Sequence, residues 1–142
     1  MFTGEYHYKI DDKGRVSFPP KFREELKAGL VLARGYEECL IVYTMDEWKK
    51  LSEKQAALPV GRSQVRRMNR WMFATSFEMD FDGQGRVALP APLREYAGIL
   101  NEVVIVGVNS CLEIWSKQRW EEECAEMAGQ VLQISESLED HR

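Results

Sequence analysis

The chain repeats itself. Slid along itself by 71 residues, Phe2 falls on Phe73, Asp11 on Asp82, Gly14 on Gly85, Arg15 on Arg86, Pro19 on Pro90 and Arg23 on Arg94. With one residue inserted near Gly98 the offset becomes 72, and Gly35 falls on Gly107, Cys39 on Cys111, Leu40 on Leu112 and Trp48 on Trp120. Order kept over a unit of roughly 70 residues marks a tandem duplication. The duplication limits the fold strongly. A unit that small has too much surface for its volume and folds alone with difficulty. Its short strands need a second sheet over their apolar face, and the second copy is the obvious cover.

Each copy reads alike. Tyr6, Tyr8 and Ile10 alternate with His7 and Lys9, as Phe77, Met79 and Phe81 alternate with Glu78 and Asp80. That period of two predicts a strand. Turn residues follow, then Val16 and Phe18, or Val87 and Leu89, on one face. Pro19-Pro20, or Pro90 with Pro92, opens a short helix, where a missing N–H is harmless. That helix carries Phe22 and Leu26, or Leu93 and Ala97, and is expected to stop at Gly29 or Gly98. Two more strands follow, "LVLARG" and "CLIVYT" in the first copy and "EVVIVGV" and "CLEIWS" in the second. Helices start near Asp46 and Lys117. Leu58-Pro59-Val60-Gly61 then separates the first of these from another helix, about Arg62 to Phe73.

The expected fold is mainly β with peripheral helices, a pseudo-symmetric barrel-like core built from both halves. The boundaries read as half 1 at 1–60, a linking basic helix at 61–72, half 2 at 73–132, and a polar, frayed tail at 133–142.

The 142 residues carry a net charge of −4, which by itself argues against a nucleic-acid partner. Its distribution reverses that inference. Residues 1–71 sum to +4 and residues 72–142 to −8, so the chain has a basic part and an acidic part. No apolar run reaches the roughly 20 residues of a membrane span. The N-terminus lacks a signal-peptide pattern, and a cytoplasmic location is expected. Three cysteines without export features do not make a disulfide framework. Two histidines and no C-x-x-C argue against a metal site, and no cofactor is expected. G-x-x-x-x-G-K-[ST], G-x-S-x-G and H-E-x-x-H are all missing, so an enzyme is not expected and no residue reads as catalytic.

The stretches "DDKGRVSFPPKFRE" and "DGQGRVALPAPLRE" carry the chemistry. If Val16 and Val87 face inward, alternation turns Arg15 and Arg86 outward just after a tight turn. An arginine at the tip of a β-ribbon can reach a phosphate or fork onto guanine in a major groove. Gly14 and Gly85 allow close backbone approach. Asp11 and Asp82 lie four residues before each arginine, placed to hold it through a carboxylate fork. The same residues also make an ordinary hairpin turn with a structural ion pair.

Both corners, each with its proline-led helix, resemble the Asp-x-x-x-Arg motifs of the MraZ family of bacterial transcriptional regulators. The stretches "MFTGEYHYKIDDKGRVSFPPKFR" and "RRMNRWMFATSFEMDFDGQGRVALP" are especially similar. The resemblance spans essentially the whole chain. It implies a double-split β-barrel of two tandem SpoVT/AbrB-type halves, assembled as a ring-shaped homo-oligomer. It also implies binding to repeated double-stranded DNA boxes in the promoter of the chain's own cell-division and cell-wall operon, usually with repression, and association with the nucleoid. Arg15 and Arg86 match the DNA-contacting arginines, and Asp11 and Asp82 the other fixed position. Lys13 at the first corner is replaced by Gln84 at the second, which predicts weaker phosphate attraction there.

Lys9, Lys21 and Arg23 surround the first corner as further backbone or subunit contacts. Arg62, Arg66 and Arg70 fall at i, i+4 and i+8 with Arg67 alongside. They line one helix face, which suits a DNA backbone, plain solvent, or the acidic "EEECAEMAGQ" segment of a neighbouring chain. Trp48 and Trp120 read as packing anchors, and Cys39 and Cys111 as small core residues. A rival reading is an AbrB-like antitoxin or interaction module whose acidic C-terminal part masks a basic toxin. A ring-forming protein without DNA activity is the third.

Overall fold

The computed structural model describes residues 1–139. Among them the chain forms β1 (Glu5–Lys9), β2 (Arg15–Ser17), α1 (Pro20–Glu25), β3 (Leu30–Arg34), β4 (Leu40–Thr44), α2 (Met45–Ala56) and α3 (Ser63–Phe73). The second half follows with β5 (Phe77–Met79), β6 (Arg86–Ala88), α4 (Ala91–Ala97), β7 (Glu102–Gly107), β8 (Leu112–Ser116) and α5 (Lys117–Glu139). The element order of the two halves therefore matches, with α3 added between them.

The pairing crosses the repeat. The six-stranded sheet runs β1-β7-β8-β4-β3-β5, and a separate two-stranded ribbon joins β2 to β6. All pairings are antiparallel. β1 of the first half pairs with β7 of the second, Tyr6 opposite Ile105. Its counterpart β5 pairs with β3 of the first half, Val31 opposite Glu78. Each half thus lends its first strand to the other.

The hydrogen bonding does not close the strands into the expected barrel. β1 and β5 end the sheet, and the ribbon stands apart. The physical reason lies in β2 and β6. Each is three residues long and is followed within two residues by Pro19 or Pro90, which has no N–H to extend a ladder. The ribbon nevertheless covers the inner face of the sheet. Val16 and Val87 from the ribbon share a core with Leu32, Leu40, Ile105 and Ile114. Phe18, Phe22, Leu89 and Leu93 complete it, so the inward residues expected of the corners and their helices are buried.

The helix ends differ from expectation in two places. α4 stops at Gly98, left-handed at φ 64°. α1 stops earlier, with Leu26 as its C-cap, and Gly29 follows three residues later at φ 113°. α5 continues through the polar segment expected to be a separate frayed tail, as far as Glu139; the rest of that segment, 140–142, lies outside the described residues. α2, α3 and α5 pack on the outer face of the sheet, opposite the ribbon. There Trp48 meets Tyr43 and Phe73, Trp71 stacks on Tyr36, and Trp120 meets Trp115. Among the described residues, no helix is long and apolar enough to cross a membrane.

Candidate nucleic-acid interface

The two corners are built alike. The carbonyl of Asp11 accepts from Gly14 N–H at 3.1 Å, and Asp11 N–H donates to the Arg15 carbonyl at 3.0 Å. Asp82 does the same with Gly85 and Arg86, at 3.0 and 2.9 Å. Each turn places its glycine at positive φ, 77° at Gly14 and 73° at Gly85, where a side chain is strained.

The aspartates hold the arginines at two points. Asp11 Oδ1 accepts the backbone N–H of Lys13 and Arg15 at 2.9 and 2.8 Å, while Oδ2 accepts Arg15 Nε at 2.6 Å. Asp82 Oδ1 accepts the N–H of Gln84 and Arg86, both at 2.9 Å, and Oδ2 accepts Arg86 Nε at 3.0 Å. The arginine N–H is the main reason each carboxyl titrates below its ordinary range, with the guanidinium adding to it. Both aspartates are therefore anionic at neutral pH, and each arginine is pinned through Nε. The aspartate–arginine pairing expected from the spacing is present, but through Nε and the backbone N–H rather than as a two-bond guanidinium fork. The Nη groups of Arg15 have no protein acceptor among the described residues, and Arg86 Nη1 lies 3.8 Å from Asp11 Oδ2.

The ribbon brings the corners together. Val16 stands opposite Val87, Arg15 opposite Ala88, and Ser17 opposite Arg86. Since Val16 and Val87 point into the core, Arg15 and Arg86 share the outer face of one narrow two-stranded ribbon. They are half-buried rather than freely exposed, with side chains 28% and 24% accessible. Lys13 and Gln84 are exposed at the turn tips.

The glycines also lie where the two halves meet. The backbone of each glycine is approached by an arginine of the other half. A Cβ on Gly14 would lie 3.1 Å from Arg94 Cζ, and one on Gly85 would lie 2.7 Å from Arg23 Cδ. Arg23 Nε donates to the Phe18 carbonyl at 3.1 Å and Arg94 Nε to the Leu89 carbonyl at 3.0 Å. Arg23, expected as a backbone or subunit contact, thus also braces the Gly85 corner of the other half. Arg94 does the same in mirror image. The sequence shows only that both arginines recur eight residues after the corner arginine, not which corner each one meets.

The remaining basic residues divide into two groups. Lys9 is exposed on β1, and Lys21 lies exposed over the Tyr6 and Phe22 rings at 5.1 Å. Arg62, Arg66, Arg67 and Arg70 are exposed on and just before α3. That helix packs on the sheet face opposite the ribbon, so the structure does not join them to the corners. Arg66 Nη1 is occupied with the carbonyls of Val60 and Gly61, at 2.9 and 3.0 Å. Among the described residues, no group of three or more His, Cys, Asp or Glu is placed to hold a metal.

A family described as "MraZ protein, putative antitoxin-like" matches residues 1–70 and again residues 72–138. The chain belongs to the MraZ family. The two matched stretches coincide with the two copies of the repeat. The chain is similar along 99% of its length to a protein of Dehalococcoides mccartyi named "Transcriptional regulator MraZ", with 49% identity and all of that protein covered. Relatives of the same name from Moorella thermoacetica and Lactobacillus gasseri are 46% and 41% identical, each over 99% of this chain and 98% of the relative. The family is one of transcriptional regulators, not of enzymes.

Proposed function

We propose that the chain is a sequence-specific DNA-binding transcriptional regulator and that the β2–β6 ribbon is its reading edge. The observation that carries this is the pair of corner arginines. They sit on one face of one ribbon, each fixed through Nε by its own aspartate. A two-stranded ribbon fits a major groove, and a guanidinium fork suits guanine O6 and N7. Fixing Nε in advance lowers the ordering cost of using Nη. Lys13 adds a phosphate contact that Gln84 does not match, so the two tips are graded.

The regulated promoter is that of the chain's own cell-division and cell-wall operon in this reading, with repression as the outcome, in the cytoplasm at the nucleoid. The working unit is a ring-shaped homo-oligomer, in which residues 1–60 and 73–132 act as two AbrB-like halves of a double-split barrel. The shared core of ribbon and sheet supports that arrangement. One tip pair contacts one DNA box weakly. Arraying several along repeated boxes raises affinity by about 10²–10⁴.

The test is binding to the chain's own upstream DNA by fluorescence anisotropy across a salt series. Affinity should fall steeply with salt as counterions are released. Arg15→Ala and Arg86→Ala should each weaken binding about 10- to 100-fold, as expected for loss of a bidentate base contact. Lys13→Gln should lower the salt slope by about one contact. Normal binding by both arginine variants would sink the reading. The antitoxin alternative is favoured by the exposed acidic face of α5; copurification with a small basic protein that displaces DNA would support it.

A further inference from the structure

α5 outruns the protein it belongs to. Trp120 and Cys124 are half-buried where the helix meets the sheet, yet every residue from Ala125 to Glu139 is exposed. The apolar face does not end there. Met127, Val131, Ile134 and Leu138 continue from Trp120 and Cys124 at alternating spacings of four and three, the seam of a helix that packs on another helix. Val131 and Leu138 are 64% and 65% exposed. Most helical stability in proteins comes from packing an amphipathic face, a packing that the stretch from Ala125 to Glu139 lacks, and Gly129 costs it about 1 kcal/mol more. The seam therefore calls for a partner.

The repeat shows what such a partner looks like. α2 is the counterpart of α5, and α3 covers it: Phe73 packs on Trp48 at 5.4 Å. The second half has no equivalent of α3 among the described residues. The tip of the α2–α3 hairpin carries its own exposed apolar residues, Leu58 at 44% and Val60 at 64%. Residues 54–70 around it hold Lys54, Arg62, Arg66, Arg67 and Arg70 and no acid. Residues 120–139 hold Glu121, Glu122, Glu123, Glu126, Glu136 and Glu139 and no base.

We propose that the free face of α5 docks on the α2–α3 tip of a second copy of this chain, head to tail. The inference rests on the ring reading above and names its interface. Both surfaces are apolar with rims of opposite sign. Pairing α5 with another α5 would set acid against acid, and tip with tip base against base. Both surfaces belong to the outer face of the sheet, so the contact leaves the ribbon free. Each chain owns one of each surface, and unlike surfaces in series make a ring when the rotation closes.

The test uses the full chain and measures mass by sedimentation, with circular dichroism to confirm folding. Arg67→Glu/Arg70→Glu damages the tip, leaving the Arg66 clamp intact. Val131→Glu/Ile134→Glu damages the helix face. The unaltered chain should have a multi-chain mass and each variant that of a single chain. A one-to-one mixture should stop at two chains, because one good tip meets one good helix. Leu58→Glu and Leu138→Glu serve as a second pair if either double variant loses helicity. An unaltered chain that is monomeric would overturn the ring reading and this proposal together. A multi-chain unaltered protein whose variants keep its mass would overturn this interface alone, as would variants that pair through α5 or an α5 that assembles only with a small basic protein.

Discussion

Gly14 and Gly85 occupy equivalent turns, yet their surroundings are not equal. Both need positive φ, so alanine at either strains the backbone by about 1–2 kcal/mol. At Gly14 the new methyl would touch the Arg94 guanidinium at 3.1 Å, a contact that a small side-chain shift relieves. At Gly85 it would lie 2.7 Å from Arg23 Cδ and closer still to Nη1. Relief there means lifting Arg23 from the Phe18 carbonyl, a further loss of roughly 1 kcal/mol for a hydrogen bond. Gly85→Ala should therefore lower the urea midpoint more than Gly14→Ala. Equal losses, or the reverse order, would show that the arginine clamp does not stiffen the corner. The outward arginines and their aspartate partners were legible from period and spacing. The clamp was not, because Arg23 and Arg94 act across the repeat, and spacing within one copy says nothing about the other.

At the scale of elements, α3 joins the halves and also closes the outer face of the first. Trp71 stacks on Tyr36 at 5.5 Å, the Arg34 guanidinium lies 4.8 Å from its ring centre, and Arg34 Nη2 donates to its carbonyl at 2.8 Å. Beneath them, a cleft of about 200 Å³ is lined by Ala33, Ile41, Tyr43 and Trp48 among others. Trp71→Ala should open that cleft and cost about 2–3 kcal/mol, less than the roughly 3–5 of a fully buried aromatic. Loosened, α3 should be cut by trypsin after Arg62, Arg66, Arg67 or Arg70 well before the rest of the chain. An unchanged digestion pattern would mean that α3 is held by something other than Trp71. The start and length of α3 were readable from the break at Leu58–Gly61 and the period that follows. Its resting place was not, since four exposed arginines point to solvent, DNA or another chain equally well. The continuation of α5 to Glu139 was missed because "ISESLED" is polar on most sides, and only Ile134 and Leu138 extend the seam.

Across the whole molecule, the duplication works through exchange. A period of two says which residues face inward but not which strand lies alongside, so the pairings of β1 with β7 and β5 with β3 were out of reach of the sequence. They matter because β1, β2, β3 and β4 all pair with strands of the second half, and the core draws on both halves. Cut apart, either half would expose its apolar face and lose a strand from its sheet. A chain nicked within 58–62 should therefore stay assembled, while fragments 1–60 and 61–142 made separately should each be unfolded and regain the native circular dichroism on mixing. The intact chain should unfold in urea in one transition, with helix content and tryptophan fluorescence coincident, as for a two-state domain. Trp48 and Trp71 report on the first half, Trp115 and Trp120 on the second. Two separated transitions, or a first fragment that folds alone, would show that the halves are independent and that the exchange of strands adds little to stability.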